Sequence, residues 1–558
     1  MLRFNRPHFY SQVLLLALTC YSCRPGGNNG ALSSDPDQLK PLPPRRELVM
    51  DSSDVSGFFR SAVRFSNVSD RVIAFYARRS FRCAWIDSEG PNDRSLSLSN
   101  LLLNALEEGV VLRNFDPVRW QALFDAFPAD SLQGYRIDHR TLSFELELTS
   151  SYFLMADAAT SGLPVSVRRS LEWYLPPKKS SPEAWADALA DTTVSGIASP
   201  HPEDSLYHRL YRALQHYREL LSRKDWSPLQ VPMSPLYPGD TSTLLCEIKR
   251  RLHGLGDFPD TLFTAEYDLV TDSAVRIFRS RHSLPVQGAI DSAFVSYLNV
   301  SPEARVRQLL VNMERCRWLP AWPSGNYILV NIPEYRMHVY KDDIESWSSP
   351  VIVGTATKRT TVFSGKLTRI VFNPYWNVPR SIIKEELLPV IIRDRSYLTR
   401  NHYEIRTKGR RPVTVSASAI DWKRIDADQF PYEILQQPGP WNALGSIKFL
   451  FPNSFSIYLH DTPSKGLFAK EQRMFSHGCI RVSEPVRLAA HLLDKSDWSV
   501  SKVNSEIKKG KERTVQVPRP VPVFVVYFTA WVDDAGLLHF AEDGYGHDER
   551  LAAELFGH

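Results

Sequence analysis

Apolar positions in the first part of the chain recur three and four residues apart. The run at 101–106 falls on one helical face and ends at Gly109, and residues 142–159 carry the same period. The pattern predicts a mainly helical region over residues 49–230. That region holds no constellation of chemically reactive side chains, so we interpret it as a structural scaffold.

A compact set of helical patterns follows at residues 235–300. Leu245, Ile248 and Leu252 share one helical face, and Asp291 is placed to cap a last short helix. Three short helices in one stretch of this length predict a small module with its own core.

The hydrophobic period changes from helical to alternating after residue 326. A helix at 301–322, which Ser301 can cap, links the module to short strand-like runs separated by turn residues. These runs are NYILVNI, RMHVY, PVIVGT, TRIVFNPYW, SIKFLF and FSIYLH. We expect a multidomain α+β protein with a mainly β domain over residues 323–495. A C-terminal extension over residues 496–558 should pack against the preceding domains.

Composition narrows the possible functions. The chain has 558 residues, enough for about three or four domains. Its 67 Lys and Arg residues against 62 Asp and Glu give a net charge of only +5, without a dense basic run. This argues against a nucleic-acid partner.

The N-terminus has the layout of a secretory signal. A short apolar run at 13–18 follows two arginines and is too short to span a bilayer, so we predict a signal over residues 1–23. Cys23 is favoured over Cys20 as the lipidated cysteine of a bacterial lipoprotein, and a plain cleaved signal is an equal alternative. Residues 24–48 are rich in Pro, Gly, Asn and Ser and predict a flexible tether. We expect export to the periplasm or cell envelope. If Cys23 is lipidated, the lipid would tether the chain to the membrane.

Four cysteines outside the signal are widely dispersed and lack the spacing of a disulfide framework. They are Cys83, Cys246, Cys316 and Cys479. Cys246 and Cys316 fall inside apolar helical patterns, which is typical of small buried hydrophobes. Cys479 differs because of its neighbours.

Cys479 lies in a Ser-His-Gly-Cys-Ile-Arg-Val segment, shortly after a histidine that ends a strand-like run. Alternate residues of that run share a side, so Tyr458 and His460 should be presented together at a site. A cysteine is nucleophilic as the thiolate, and an adjacent imidazole can hold that thiolate as an ion pair. Gly478 would let the backbone approach a substrate closely, and the N–H groups of 477–479 would stabilise an oxyanion.

Each of these residues also has a plainer interpretation. A lone histidine beside a strand is usually structural, and a lone cysteine is usually buried filler. Zinc binding by His477, Cys479 and His460 would leave the metal short of ligands. We therefore expect neither a metal nor a cofactor.

The segment HDTP…FSHGCIRV resembles the catalytic signature of the L,D-transpeptidase family, whose fold is named YkuD. The motifs VFNPYWNVPRSI, QQPGPWNALGSIKFLFPN and PVPVFVVYFTAWVDDAGLLHF resemble its large multidomain branch, which has a helical scaffold and an inserted lid. Residues 235–300 resemble the three-helix peptidoglycan-binding domain. The signature is matched at His460, Ser476, His477, Gly478, Cys479 and Arg481.

The resemblance implies a reaction on peptidoglycan peptide stems, which serve as donor and acceptor. Cys479 would attack the carbonyl of the third residue of a tetrapeptide stem and expel the terminal D-Ala. A side-chain amine of a second stem would then attack the thioester and give a 3→3 cross-link. His460 would take the thiol proton and later a proton from the amine. Carbapenems should acylate the same thiol.

The resemblance also assigns supporting roles. Ser476 and His477 would shape the loop and the hydrogen bonding of His460. Arg481 would bind carbonyls or a carboxylate, or form a structural ion pair. The candidates for substrate-facing residues are Tyr458, Trp376 and Asn442, and residues 381–438 would form the lid.

Other functions remain open at this point. Papain-like wall hydrolases place the cysteine before the histidine, which is the reverse of the order here. The same fold could act as a carboxypeptidase or attach a protein to the wall, and a wall-binding protein with a decayed catalytic domain is the non-enzymatic alternative. The sequence does not indicate an oligomeric state.

Overall fold

The structure is a computed structural model. It describes residues 46–113, 115–125, 127, 137–176, 189, 205–320, 325–425, 429–493 and 498–557. The predicted signal, with Cys23, and nearly all of the predicted tether lie outside these residues. Within the described ranges, no helix combines the length and apolar character needed to cross a membrane.

The scaffold forms around one long buried helix, His139–Thr160, whose first turn is capped by Asp138 through the Thr141 N–H at 2.8 Å. The buried Glu145 carboxylate on this helix accepts hydrogen bonds from the Tyr76 hydroxyl and from backbone N–H groups of a small sheet. That sheet, absent from the sequence-based expectation, comprises Glu47–Val49, Arg82–Asp87 and Gly90–Pro91. The other helices of this region are Ser52–Ser61, Ser69–Arg78, Asp93–Leu103, Pro117–Asp125 and Val165–Ser170, with a 3-10 turn at Val63–Phe65.

The three predicted short helices are present, at Leu244–Gly254, Leu269–Arg281 and Ser292–Leu298. They enclose their own apolar core, and Asp291 caps the last of them by accepting from the Phe294 N–H at 2.8 Å.

The predicted linker helix, Pro302–Arg317, lies at the centre of the molecule. It packs along Ser205–Ser222, and both helices share one apolar core with the large sheet. Buried Arg317 donates to the carbonyls of Ala159 and Gly109 at 3.0 and 2.7 Å, which ties the scaffold to this helix.

A nine-stranded sheet forms the largest layer. The sheet closes on itself because Ile344–Gly354 pairs with Arg336–Lys341 through its first half and with Ile480–Val482 through its second. The remaining strands are Tyr327–Asn331, Phe363–Phe372, Ile447–Leu450, Leu459–His460, Met474–Ser476 and Arg513–Val526.

The predicted C-terminal extension supplies a central strand of this sheet. Arg513–Val526 runs antiparallel to Phe363–Phe372 and parallel to Tyr327–Asn331. The boundary expected at residue 495 is therefore too early for the sheet. The other C-terminal elements are the helices Pro485–Leu492, Val500–Lys508 and His547–Phe556 and the hairpin of Ala530–Val532 with Leu538–Phe540.

The insertion expected at residues 381–438 folds as a unit with its own apolar core. Its four-stranded sheet includes Trp376–Asn377, where the chain leaves the large sheet, paired with Tyr432–Gln436. The remaining elements are the strands Tyr403–Thr407 and Thr414–Val415, the helices Arg380–Ile382, Leu388–Arg393 and Ser396–Arg400, the π-helical turn Ile383–Leu387 and a 3-10 turn at Ala417–Ala419. We call this insertion the lid.

Candidate active site

The register of three neighbouring strands decides which side chains share the site. Lys448, His460 and Arg481 lie directly opposite one another on the strands Ile447–Leu450, Leu459–His460 and Ile480–Val482. Directly opposed residues of a sheet point to the same face. The next row of opposed residues, Phe449, Leu459 and Ile480, is buried in the apolar core. The row with His460 therefore points away from that core, toward the site.

Tyr458 and Cys479 come immediately before the strands Leu459–His460 and Ile480–Val482. The Lys448 ammonium lies over the Tyr458 ring, and the Tyr458 hydroxyl interacts with the Cys479 thiol, so both residues adjoin this polar face. The Ile480 N–H donates to the Tyr458 carbonyl at 3.1 Å, which holds the two segments in register. The Tyr458 and His460 ring centroids are 5.6 Å apart.

The backbone next to Tyr458 is bent, contrary to the predicted six-residue strand FSIYLH. Ser456 has φ +57°, in the left-handed region, and its carbonyl accepts a hydrogen bond from Cys479 Sγ at 3.7 Å. The Asn453 side chain holds this bend by donating to the Ile457 carbonyl at 2.7 Å and accepting from the Phe455 N–H at 3.0 Å. The bend therefore aims a carbonyl at the thiol.

His460 is buried and set up as a neutral base. Its Nδ1 lies 2.5 Å from the Asp461 carbonyl, which can only accept, so Nδ1 carries the proton and Nε2 is the unprotonated nitrogen of the neutral ring. Burial, and then the Arg481 charge, lower the pKa of His460 to about 3. Asp461 itself is fixed because it accepts from the Ser446 N–H at 2.8 Å and pairs with Lys465.

The thiol is also neutral at rest. Burial raises the pKa of Cys479, and the opposing effects of Tyr458, Lys448 and Arg481 do not cancel that rise. A resting thiolate–imidazolium ion pair, which the sequence suggested, is therefore not supported. Within the described residues, Sγ interacts with the Ser456 carbonyl and with Tyr458.

The loop before Cys479 is held by internal hydrogen bonds. The Ser476 hydroxyl donates to the Cys479 carbonyl and accepts from the Gly478 N–H at 3.2 Å. The expected oxyanion role of the 477–479 N–H groups is thus wrong for Gly478, whose N–H is already bonded. Gly478 has φ +107°, and a Cβ there would lie 3.2 Å from the Arg359 carbonyl. The positive φ and this close approach of the neighbouring loop both favour glycine at position 478.

His477 points to the lid instead of to His460. Its Nε2 contacts a carboxylate oxygen of Glu386, and Lys358 Nζ lies 2.6 Å from Glu385 Oε2. The expected role of His477 in the hydrogen bonding of His460 is therefore wrong. These four residues, which we call the latch, join the π-helical turn of the lid to the cysteine loop and its neighbour.

The sequence suggested that Arg481 binds carbonyls or a carboxylate, but among the described residues its side chain contacts neither. It forms no ion pair within the described part of the chain, and its Nε is buried without a hydrogen-bond partner. Lys448, which sequence reasoning missed, is the second cation of this face, with Nζ 4.0 Å from the Tyr458 ring centroid. The alternation of SIKFLF, paired with the strand ending in His460, was the signal that could have revealed it.

The three residues expected to face substrate lie in different environments in the structure. Tyr458 lies beside the thiol, and Trp376 is half-buried at the point where the lid leaves the large sheet. Asn442 is wrong as a candidate because it is fully buried. Its Nδ2 donates to the carbonyls of Pro374, Gln436 and Gln437, and its Oδ1 accepts from the Leu444 N–H.

The described residues hold no group of three or more His, Cys, Asp and Glu side chains that could bind a metal ion. The polar face of Cys479, His460, Tyr458, Lys448 and Arg481 thus offers a nucleophile, a base and two cations. This set suits acyl transfer through a thioester.

Parts of the chain match known protein families. Residues 325–517 match the family model described as the L,D-transpeptidase catalytic domain, YkuD, and residues 70–214 match a model described as the scaffold domain. A Haemophilus influenzae protein named "Putative L,D-transpeptidase" is 38% identical over 256 residues, which cover 46% of this chain and 51% of that protein. The chain thus spans about half the length of this curated relative.

Two solved structures share a distant likeness. An L,D-transpeptidase from Xylanimonas cellulosilytica is 14% identical, covering 53% of this chain and 100% of that one, with a TM-score of 0.18. An L,D-transpeptidase from Stackebrandtia nassauensis is 12% identical, covering 52% and 97%, with a TM-score of 0.20.

Proposed function

We propose that this chain, whose residues 325–517 match the family model of the L,D-transpeptidase catalytic domain, is a peptidoglycan L,D-transpeptidase that works through a Cys479 thioester. The observation that carries the proposal is that Cys479 and His460 both adjoin Tyr458. The Tyr458 hydroxyl interacts with the Cys479 thiol, and the Tyr458 ring centroid lies 5.6 Å from that of His460. A nucleophile and a base brought together around one side chain can act on the same bound substrate.

Acylation starts from the neutral pair. As the thiol attacks the carbonyl of the third stem residue, His460 Nε2 takes its proton, and a carbon–sulfur bond forms. The amide carbon–nitrogen bond then breaks, and the imidazolium returns the proton to the leaving nitrogen. The products are a thioester on Cys479 and free D-Ala. Lys448 and Arg481 favour the negative charge that develops on sulfur and on the carbonyl oxygen.

Transfer reverses the roles of the same groups. A side-chain amine of a second stem attacks the thioester, and His460 takes a proton from the nitrogen. The carbon–sulfur bond breaks and the thiolate recovers a proton, which leaves a 3→3 amide cross-link. Water attacking the same thioester would give a tripeptide, the product of a carboxypeptidase.

Residues outside the site complete the proposal. The three-helix module would bind peptidoglycan, and the signal would export the chain to the periplasm or cell envelope. Lipidation at Cys23 is tested by labelling with a fatty-acid analogue. Loss of the label in Cys23→Ser, with the label retained in Cys20→Ser, supports lipidation at Cys23.

Carbapenems should acylate the same thiol as the donor stem. Intact mass and peptide mapping should then show one carbapenem adduct, on the peptide that contains Cys479.

The decisive experiment incubates the exported chain with purified tetrapeptide muropeptides and analyses the products by mass spectrometry. We expect cross-linked dimer and free alanine from the wild type and neither from Cys479→Ala. Tripeptide alone would identify a carboxypeptidase. Full activity in Cys479→Ala would reject the nucleophile.

A further inference from the structure

The face that carries Cys479 also carries two cations without an ion-pair partner among the described residues. Lys448 and Arg481 flank His460 from the strands on either side of it. The acidic group with a named electrostatic effect on Lys448 is the exposed Glu512, which forms no salt bridge with it. Both cations are half-buried, and burial lowers the pKa of each. Partly desolvated cations are usually compensated by an anion.

Lys448 is also held in one place. Its ammonium lies 4.0 Å from the centroid of the Tyr458 ring, and the Tyr458 hydroxyl interacts with the Cys479 thiol. A cation–π contact fixes the ammonium but uses none of its three N–H donors for a hydrogen bond. Those donors remain available to a molecule bound at Cys479.

The proposed donor has an anion beside its reactive bond. The amide that Cys479 attacks joins the third residue to a terminal residue, and a single carbon separates the amide nitrogen from the free terminal carboxylate. A cation fixed beside the thiol is therefore within reach of that carboxylate when the carbonyl lies at sulfur.

We propose that Lys448 binds the free terminal carboxylate of the donor stem, and that the site thereby selects stems that end one residue beyond the attacked bond. This inference rests on the proposed function. Lys448 forms no covalent bond in the reaction: the carboxylate stays on the leaving amino acid and departs with it. Arg481 supplies a second positive charge on the other side of His460.

The test compares two donors that differ only at this group: the tetrapeptide stem and the same stem with its terminal carboxylate converted to an amide. We expect the wild type to consume the acid with a kcat/KM roughly 10- to 100-fold above that of the amide, as for a hydrogen bond to a charged group. Lys448→Met slows both donors to the extent that the lysine also stabilises developing charge, but it should reduce the acid-to-amide preference to within about threefold of unity by raising the KM of the acid more than that of the amide. Lys448→Arg should retain most of it.

Two controls separate carboxylate binding from other roles of Lys448. Lys366→Met removes an exposed lysine from another strand of the same sheet and should keep the wild-type preference. Alkylation of Cys479 by neutral iodoacetamide reports thiol reactivity without a carboxylate. If Lys448→Met slows both donors and alkylation equally, with the acid-to-amide preference unchanged, the lysine acts on the thiol and the inference is overturned.

A binding measurement keeps this inference distinct from the proposed function. Calorimetry with Cys479→Ala should show tighter binding of the acid than of the amide stem, and Lys448→Met in that background should remove the difference. If the wild type turns over neither donor while this difference persists, the proposed function fails and the carboxylate site stands. Equal turnover of acid and amide by the wild type rejects the site and leaves the transpeptidase proposal intact.

Discussion

At the scale of single residues, the two reacting groups are both uncharged before substrate arrives. Burial lowers the pKa of His460 to about 3 and raises that of Cys479. A cysteine nucleophile paired with such a histidine depends on general-base catalysis during attack, and not on a stored thiolate.

This charge state predicts how Cys479 reactivity depends on pH. Because its pKa is raised, the thiolate fraction should grow about tenfold per pH unit between pH 7 and pH 9. The rate of iodoacetamide alkylation, followed by intact mass and mapped to the Cys479 peptide, should rise accordingly. His460→Ala should change this rate by less than about threefold while lowering donor turnover more than about 100-fold. A rate that is flat from pH 6 to pH 8 would instead reveal a preformed ion pair.

Residue types alone identified part of this site. Cys479 and His460 follow from chemistry and from a specific motif, and in the structure both lie next to Tyr458. Asn442 could not be judged from sequence, because an asparagine that satisfies buried carbonyls looks the same as one that faces a ligand. Lys448 was missed because it lies in another strand and joins the site only through cross-strand register.

At the scale of elements, the latch connects the lid to the cysteine loop. Glu386 meets His477, two residues before Cys479, and Glu385 meets Lys358. The four side chains are between 33% and 51% exposed, so solvent screens both contacts and each is weak. The latch is thus weak enough to open and close during turnover.

Releasing the latch should favour hydrolysis over transfer. A thioester is attacked by water whenever the site is open, and a closed lid excludes that competitor. We expect Glu385→Gln with Glu386→Gln to lower the ratio of cross-linked dimer to tripeptide by roughly 2- to 10-fold, with total donor consumption nearly unchanged. Muropeptide chromatography of one reaction gives both products.

The matched control is Glu433→Gln, a glutamate on a lid strand outside the latch. It should keep the wild-type ratio. An unchanged ratio in the double latch variant would mean that the thioester is protected without these contacts. Shortening residues 385–430 is a harsher version of the test, since it also removes the strand Tyr403–Thr407 and much of the core of the lid.

Local sequence patterns predicted where helices and strands form better than they predicted which strands pair with one another. The caps at Asp291 and Ser301 and the short strands follow from residue spacing, and the structure contains them. The bend at Ser456 could not be predicted from residue spacing, because it depends on hydrogen bonds between the Asn453 side chain and the backbone of Phe455 and Ile457. The C-terminal extension was expected only to pack against the preceding domains, and nothing in its sequence indicated that Arg513–Val526 occupies a central position in the sheet.

At the scale of the whole molecule, the nine-stranded sheet combines strands from before the lid with a strand near the C-terminus. The C-terminal strand Arg513–Val526 lies between strands that come before the lid, and its residues Val523, Val525 and Val526 are fully buried. The scaffold, the central helix Pro302–Arg317 and this strand are therefore structurally interdependent.

This arrangement predicts the effect of truncation. A chain ending at Leu493 should not form a soluble, cooperatively unfolding protein, because it exposes two strand edges and the apolar core between them. Removal of residues 1–46 should leave the melting transition within about 3 °C of that of the full chain, since Glu47–His558 forms one compact unit. Size-exclusion chromatography and calorimetry test both. A folded, active chain ending at Leu493 would contradict the assignment of the last strand.

The account's central claim is that Cys479 carries the acyl group during the reaction. The most direct measurement mixes the wild type with tetrapeptide donor in the absence of an amine acceptor, quenches the reaction in acid within milliseconds, and records the intact mass. We expect a single adduct with the mass of the donor minus alanine, located by peptide mapping at Cys479, and none in Cys479→Ala. Product formation without that adduct, or an adduct on Cys83, Cys246 or Cys316, would contradict it.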